Sequence, residues 1–286
     1  MWEEHDSPTQ LNRKAHPELR FHEPLWNELL LRMVDAGFNA VVLDLGDGVR
    51  YNSHPEIAVH GAWDPERLAD EAEHLRSLGL ELVPKLNFSS GHDTWLGPVY
   101  SRSLSTPLYY EVCRDLIAEV IALTRPRLFH LGMDEEIYIE QQEQNYIVIR
   151  QNDLFWNDLL FLCGEVEKGG ARPWVWTDTM WENGPEVFLR RMPRSVLQSV
   201  WYYGTDFNSP RATAYGELSD AGFDQVPTCS CFSHENNPEL LVAHCRRVIS
   251  PQHLCGFLQT SWYPTLSEYR EIHLRAIEAL ATWNSQ

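Results

Sequence analysis

The most constraining feature of this 286-residue sequence is a repeated alternation between short apolar runs and longer amphipathic segments. The apolar runs have the length of buried strands and lie at residues 40–47, 80–88, 127–134, 172–178, 195–204, 223–232 and 254–263. Helical spacing predicts helices over 24–37, 64–79, 106–124, 152–170, 237–250 and 267–283, with a weaker pattern over 209–222. Strand followed by helix along the whole chain predicts a parallel sheet with crossover helices.

The length of the units favours a closed barrel over a doubly wound sheet. The strand ends at Asp47, Asn87, Asp134 and Asp178 are separated by 40, 47 and 44 residues, and the later units are shorter. No GxGxxG or P-loop turn follows any strand, which weakens the nucleotide-binding alternatives. We therefore expect an α/β fold of the (β/α)8 TIM-barrel type, with residues 1–286 as one catalytic domain. Its first strand is expected to be short or missing, because only about 20 residues precede the first predicted helix.

Charge and composition exclude several classes of partner. The 41 acidic residues outnumber the 23 basic ones, and the net charge of -18 argues against nucleic acid or an anionic membrane surface as partner. No apolar run reaches the roughly 18 residues of a membrane span, and the start MWEEHDSPTQ lacks the features of a signal peptide. We expect a cytoplasmic protein, with a removed leader as the alternative. The six cysteines lack zinc-type CxxC spacing and are expected to be mostly buried thiols.

Residues at the carboxyl ends of the predicted strands should converge on one face of the barrel. This rule collects Asp44, Asp47, Asn87, His92, Asp93, Asp134, Glu135, Glu136, Trp176, Asp178, Trp181, Trp201, Tyr202, Tyr203, Cys231, Trp262 and Tyr263. Glycoside hydrolysis requires such residues: an acid for the leaving oxygen, a carboxylate for positive charge, and aromatic rings for the sugar. The negative net charge is compatible with a cationic transition state.

Several of these runs together resemble a known family of glycosidases. They are NAVVLDLGDGVRY (39–51), LELVPKLNFSSGHD (80–93), FHLGMDEE (129–136), WVWTD (174–178), VWYYG (200–204) and TSWY (260–263). In this order they resemble the barrel of the β-N-acetylhexosaminidases of glycoside hydrolase family 20, over nearly the whole chain. The most specific part is the pattern His-x-Gly-x-Asp-Glu, which begins at His130 and ends at Glu135. The family usually has a second Gly where this chain has Met133.

The resemblance implies an exo-acting retaining β-N-acetylhexosaminidase in which the 2-acetamido group of the substrate attacks its own anomeric carbon. Glu135 would be the general acid and later the base, and Asp134 would orient the acetamido group and stabilise the oxazolinium-like intermediate. Glu136 would be a bystander in a turn or helix. The expected partner is a glycan or glycoconjugate that contains N-acetylhexosamine, with no metal or organic cofactor. Self-association into a homo-oligomer is compatible with the sequence.

The resemblance also implies supporting roles. Asp47, His92 and Glu135 would form a relay that tunes the acid, and His130 would give structural support inside its strand. Contacts with the sugar are implied for a further set: Arg50, Asn87, Trp176, Asp178, Trp201, Tyr202, Tyr203 and Trp262. In this set Arg50 would substitute for the family's strand-one Arg. Tyr202 or Tyr203 would substitute for the strand-seven Tyr that holds the acetamido oxygen, because this chain has CSCF (229–232) in that place. Because ligands for the 3- and 4-hydroxyls differ from the family's, β-GalNAc is a candidate for the preferred substrate beside β-GlcNAc.

Two other functions remain open at this stage. A divalent-metal sugar isomerase or epimerase also uses a barrel with oxygen and nitrogen ligands at strand ends, here Asp44, Asp47, His92, Asp134 and Glu135. A catalytically silent glycan-binding barrel is the third candidate, because several ligands of the family are missing. The simplest structural alternative is that Asp134 caps a helix.

Overall fold

The computed structural model describes residues 16–136, 150–182 and 184–284. Its strands are β1 (Ala40–Asp44), β2 (Glu81–Lys85), β3 (Leu128–His130), β4 (Arg172–Trp176), β5 (Leu197–Ser199), β6 (Thr228–Ser230) and β7 (Leu258–Thr260). Its helices are α1 (Glu23–Asp35), α2 (Pro65–Ser77), α3 (Gly97–Tyr100), α4 (Pro107–Thr124), α5 (Asn152–Lys168), α6 (Thr179–Glu182), α7 (Pro185–Arg191), α8 (Pro210–Asp220), α9 (Asn237–Val248) and α10 (Arg270–Asn284). Short 3₁₀ turns lie at Gly46–Gly48, Pro55–Ile57, Asp93–Leu96, Ser101–Ser103 and Ser267–Tyr269. Each of the seven predicted strands therefore forms, in a shorter span than the apolar run around it.

The strands are parallel and follow one another in the order of the sequence. Strands β1 to β5 form one sheet, and β6 pairs with β7. Isolated parallel bridges from Gln198 to Gln225 and from Trp201 to Thr228 continue the pairing from the region of β5 to that of β6. The predicted parallel α/β fold is confirmed. Closure into an eight-stranded barrel stays a prediction, and most of the segment expected to hold its first strand lies outside the described residues.

Local signals in the sequence define the helices between the strands. The Asp64 side chain accepts a hydrogen bond of 2.8 Å from the Arg67 amide at the start of α2, and Pro65 occupies its first turn. Gly79 follows the helix with φ at +80°, which only Gly adopts without strain. The weak pattern over 209–222 also forms a helix, α8, with Ser209 as its N-cap. None of the helices described is both long and apolar enough to span a bilayer.

Alternate strand residues face two different apolar layers. One set packs outward against the helices, and Val41 and Leu82 belong to it. The other set forms a small inner layer with contributions from β1 to β5, the region before β6, and β7: Ala40, Val42, Val83, Leu128, Trp174, Leu197, Val226 and Leu258. Because these strands share one inner layer, their carboxyl ends are brought to a common edge. Four of the six cysteines are buried, Cys231 is half-buried and Cys255 is exposed.

Candidate active site

The residues after β3 are fixed against the end of β2 by the carboxamide of Asn87. Its Oδ1 accepts hydrogen bonds from the Ser89 amide (3.0 Å) and the Met133 amide (3.3 Å). Its Nδ2 donates to Asp134 Oδ1 at 2.9 Å. Gly132 has φ at +72°, and a Cβ on it would lie 1.9 Å from Asn87 Oδ1. Glycine is therefore required here for both backbone conformation and space.

The imidazole of His92 links the two acids that follow. His92 Nε2 lies 3.0 Å from Glu135 Oε2 and 3.2 Å from Asp134 Oδ2. Burial lowers the pKa of His92, but the charge and hydrogen bonds of Asp134 and Glu135 outweigh it and raise the pKa to about 10. Burial likewise opposes the charge of Asp134, yet His92, Lys85 and Asn87 hold the pKa of Asp134 well below its ordinary value. The site thus holds an imidazolium against an ionised Asp134 at neutral pH.

Asp178 positions Glu135 through the backbone. The Glu135 amide donates a hydrogen bond of 2.6 Å to Asp178 Oδ2, and Glu135 has φ at +55°. Asp178 is fully buried, and burial together with the negative charges of Glu182 and Asp134 raises the pKa of its carboxyl well above the ordinary value. Its Oδ1 has no hydrogen-bond partner among the described residues. Asp178 is therefore a buried acid whose carboxyl holds the backbone of Glu135, and its predicted contact with a sugar hydroxyl stays a prediction.

Glu136 is a buried residue of the framework. Its side chain has no exposed surface and forms an ion pair with the equally buried Arg150. The Ser90 amide and hydroxyl donate to its two carboxylate oxygens at 2.6 and 2.8 Å. Arg150 in turn donates to the Tyr109 hydroxyl at 3.0 Å. Glu136 thus ties the segment after β3 to the loop after β2, and the expectation that it takes no part in catalysis stays a prediction.

Half of the predicted relay is present in the described parts of the chain. His92 contacts Glu135, whereas no hydrogen bond or ion pair joins Asp47 to His92 within those parts. Asp47 lies in the turn after β1, where burial, and then the charge of Asp44, raises its pKa to about 6. A relay through Asp47 would require its carboxylate to approach His92.

His130 lies beneath the site at the end of β3. It is fully buried, and its Nδ1 accepts a hydrogen bond of 3.0 Å from the Gly132 amide. Burial, and then the nearby charge of Lys85, lowers the pKa of His130 far below its ordinary value. Its ring contacts Trp174 and Trp176 at centroid distances of 5.0 and 4.5 Å. A neutral packed imidazole in this position supports the backbone of Gly132.

Five aromatic residues form a continuous group beside the acids, which we call the aromatic cluster: Trp176, Trp181, Trp201, Tyr203 and Trp262. Trp176 and Trp262 meet edge to face at 5.8 Å, and Trp262 Nε1 donates to the Tyr203 hydroxyl at 3.0 Å. Tyr203 stacks on Trp201 at 5.5 Å, and Trp201 meets Trp181 at 5.8 Å. Rings from the ends of β4, β5 and β7 therefore form one surface.

Two of the predicted substrate ligands, Tyr202 and Arg50, make no described contact with the rings of the aromatic cluster. The Tyr202 hydroxyl donates to the Asp206 carbonyl at 2.7 Å, and its ring packs on Phe207. Of the two tyrosines, Tyr203 is thus the one in the aromatic cluster. Arg50 is exposed, and within the described chain no contact joins its side chain to the acids. Its proposed role as a substitute sugar ligand stays a prediction.

Sequence reasoning did not find some residues of the site. Lys85 is buried, and its ammonium lies 2.5 Å from Asp44 Oδ2. The sequence did carry a signal for Lys85, because a charged residue inside the apolar run 80–88 needs a partner in the fold. Ser90 and Arg150 had no such signal, because their roles depend on contacts with Glu136 across the fold. The ligand atoms of His92, Asp134 and Glu135 lie within 4.8 Å of one another, which is the spacing of a metal-binding group.

Comparison with solved structures gives similar folds in glycosidases. The chitobiase of Flavobacterium johnsoniae matches with a TM-score of 0.67 and 16% identity, over 91% of this chain and 45% of that chain. An inactive mutant of the exo-β-N-acetylglucosaminidase of Vibrio harveyi matches with a TM-score of 0.61 and 13% identity, over 94% of this chain and 52% of that chain. The N-acetyl-β-hexosaminidase of Streptomyces plicatus, in complex with thio-NAglucal, matches with a TM-score of 0.57 and 16% identity, over 74% of this chain and 46% of that chain.

These likenesses concern the fold. No family model matches the chain, and no curated protein is significantly similar to it. The chain spans about half the length of the solved structures it matches. Because folds of this kind support many activities, the activity of this chain has to be argued from its own residues. The structural neighbours are family 20 β-N-acetylhexosaminidases, so the resemblance inferred from the sequence extends to the fold.

Proposed function

We propose that this chain is an exo-acting retaining β-N-acetylhexosaminidase that uses the 2-acetamido group of its substrate as the nucleophile. The observation that carries the proposal is the position of His92, whose Nε2 contacts the carboxylates of the adjacent Asp134 and Glu135. The aromatic cluster beside these acids offers faces for a sugar ring. The fold shared with family 20 enzymes adds support.

Glu135 is the proposed general acid. Its side chain is 26% exposed, against 14% for Asp134, so it is the acid that a glycosidic oxygen can reach more easily. In the first step its proton moves to the leaving oxygen while the bond from that oxygen to C1 breaks. The acetamido oxygen forms the new bond to C1, which gives a cyclic oxazolinium. Water then attacks C1, Glu135 takes the proton of the water, and the ring of the intermediate opens.

Asp134 is the proposed stabiliser of that intermediate. Its carboxylate is kept ionised by His92 and oriented by the amide of Asn87. A fixed negative charge beside the acetamido nitrogen accepts its hydrogen bond and stabilises the positive charge that develops on the ring. Adjacent acids on one segment suit this mechanism, because no enzyme nucleophile at the usual separation of about 5 Å is needed.

The aromatic cluster and Asp178 are proposed to bind the sugar. Trp176 is 3% exposed, and its Nε1 has no hydrogen-bond partner among the described residues; the same is true of Asp178 Oδ1. Buried polar atoms of this kind normally have partners, so hydroxyl or acetamido groups of a bound sugar would satisfy them. Tyr203 and Trp262 would complete the wall on the side of β5 and β7.

Hydrolysis of aryl glycosides tests the proposal. The nitrophenyl β-glycosides of GlcNAc and GalNAc should release nitrophenol, and the glucoside, which lacks the 2-acetamido group, should react at least about a hundredfold more slowly, as expected when the nucleophile is missing. The ratio of the two rates shows whether β-GalNAc or β-GlcNAc is the preferred substrate. No release from either of them would rule the proposal out.

A divalent-metal sugar isomerase or epimerase is the second candidate, and the 4.8 Å grouping of ligand atoms from His92, Asp134 and Glu135 favours it. Glycosidase activity that survives EDTA would reject this function.

A silent glycan-binding barrel is the third candidate. It would be favoured if the chain bound glycans without hydrolysing any aryl glycoside and Glu135→Gln bound them equally well.

A further inference from the structure

Arg211 lies at the outer end of the aromatic cluster. It belongs to the first turn of α8, the helix that follows β5, so it sits at the carboxyl edge of the sheet. Its guanidinium carbon is 5.7 Å from the ring centroid of Trp181 and 5.6 Å from that of Trp201. Trp201 stacks on Tyr203. Continuous ring contacts therefore connect Arg211 to the candidate active site.

The charge of Arg211 is not neutralised by the protein around it. In the parts of the chain that the structure describes, no carboxylate lies within ion-pairing distance of its guanidinium, although the chain has a net charge of -18. By contrast, Arg172 and Arg191 are paired with Asp224 and Asp153. The first turn of α8 contains no acid, and a cation at a helix N-terminus is unfavourable. An exposed guanidinium that rests on two indole rings is thus left for a ligand.

We propose that Arg211 binds an anionic group of the substrate, so that the enzyme acts on acidic glycans that contain N-acetylhexosamine. This inference rests on the proposed function. A guanidinium binds sulfate or carboxylate oxygens through two parallel hydrogen bonds. The contacts with Trp181 and Trp201 hold the Arg211 guanidinium at the aromatic cluster, where such a group could reach it. Asp134 and its neighbouring acids repel an anion, which confines the anionic group to the Arg211 end of the site.

Two positions in a glycan present this chemistry. One is a sulfate ester on the 6-hydroxyl of the cleaved sugar, and the other is the carboxylate of a uronic acid on the leaving side. The first is tested with nitrophenyl β-GlcNAc and its 6-sulfate. The second is tested with β-GlcNAc joined to glucuronic acid or to glucose, by measuring the GlcNAc released. In at least one pair the anionic substrate should have the higher kcat/KM, and that preference should decrease as salt is added.

The Arg211→Gln variant decides whether this residue is responsible. It should lower the ratio of kcat/KM for the anionic over the neutral substrate by on the order of tenfold or more, the effect of losing a charge-assisted hydrogen bond. Arg211→Lys, which keeps the charge and loses the fork geometry, should restore part of the ratio. Arg190→Gln is the matched control, since Arg190 is exposed, makes no described ion pair and lies at the end of α7.

Two results would overturn the inference: an unchanged ratio in Arg211→Gln for both substrate pairs, or no preference for the anionic substrate in the parent protein. If the parent hydrolyses none of the four substrates, the proposed function fails and binding decides the inference. Calorimetry with GlcNAc 6-sulfate and GlcNAc, and with the two disaccharides, then gives the same ratios from dissociation constants. Equal affinities, unaffected by Arg211→Gln, would rule out an anion site.

Discussion

Arg150 and Glu136 form an ion pair in which neither side chain has any exposed surface. Breaking such a pair leaves an uncompensated charge in the interior, which typically costs about 3 to 5 kcal/mol. We expect Glu136→Gln to lower the free energy of unfolding by about 3 kcal/mol, because Asp158, at 3.6 Å, still faces Arg150. Urea denaturation at neutral pH measures this loss.

The control for that variant is Glu268→Gln, which removes the same charge from an exposed position. A surface change of this kind should stay within about 0.5 kcal/mol. If Glu136→Gln costs as little as the control, Asp158 and the carbonyls around Arg150 satisfy its charge without Glu136.

Gly132→Ala tests how closely Asn87 and the segment after β3 are packed. The new methyl group would meet Asn87 Oδ1 and displace the carboxamide that holds Asp134. Gly79→Ala is the matched control, because Gly79 has a similar φ of +80° with nothing within 4 Å of an added Cβ. The control should cost about 1 to 2 kcal/mol in conformational strain, and Gly132→Ala should cost at least about 1 kcal/mol more from overpacking. Equal costs by thermal unfolding would show that Asn87 moves aside freely.

The strands and helices could be predicted because their signals are local. The run around Val41 and Val42 has the length of a buried strand, and Asp64 and Gly79 mark the two ends of a helix within a few residues. The meeting of Asp134 with His92 followed from one topological rule, that parallel strands end at one edge. Neither step required knowledge of side-chain packing.

The interior ion pair and the role of Met133 could not be predicted in that way. Arg150 meets Glu136 across a buried space, and a sequence shows an acid at a strand end without showing what covers it. Met133 has φ at +69°, a conformation that suits the Gly usual in the family, and its side chain is buried with Sδ 3.8 Å from an Arg150 nitrogen. The buried Met133 side chain therefore contacts Arg150, which a glycine in this position could not do.

Replacing each of the two acids, Asp134 and Glu135, by its amide should separate their roles. Glu135→Gln removes the proton donor, so hydrolysis of glycosides with poor leaving groups should fall by roughly a hundredfold to ten-thousandfold. A dinitrophenyl glycoside, whose leaving group needs little protonation, should lose much less. Asp134→Asn should slow both substrates to a similar extent, because it acts at the acetamido group. Full activity of Asp134→Ala, or equal losses for both substrates in Glu135→Gln, would contradict the assignment.

The contact of His92 with Asp134 and Glu135 should appear in the dependence of stability on pH. The pKa of His92 is raised from 6.5 to about 10, so the folded state binds a proton that the unfolded state releases between these values. Stability from His92 is therefore fully present below about pH 6.5 and decreases toward pH 10, by up to about 1.4 kcal/mol per pH unit. The lowered pKa of Asp134 affects stability in the opposite direction: its contribution decreases as the pH falls below 3.8.

Urea denaturation of the parent and of His92→Gln at pH 6 and pH 9.5 isolates the contribution of the histidine, since the other groups titrate in both proteins. The difference in unfolding free energy between parent and variant should shrink at the higher pH, and a constant difference would show that folding leaves the pKa of His92 unchanged.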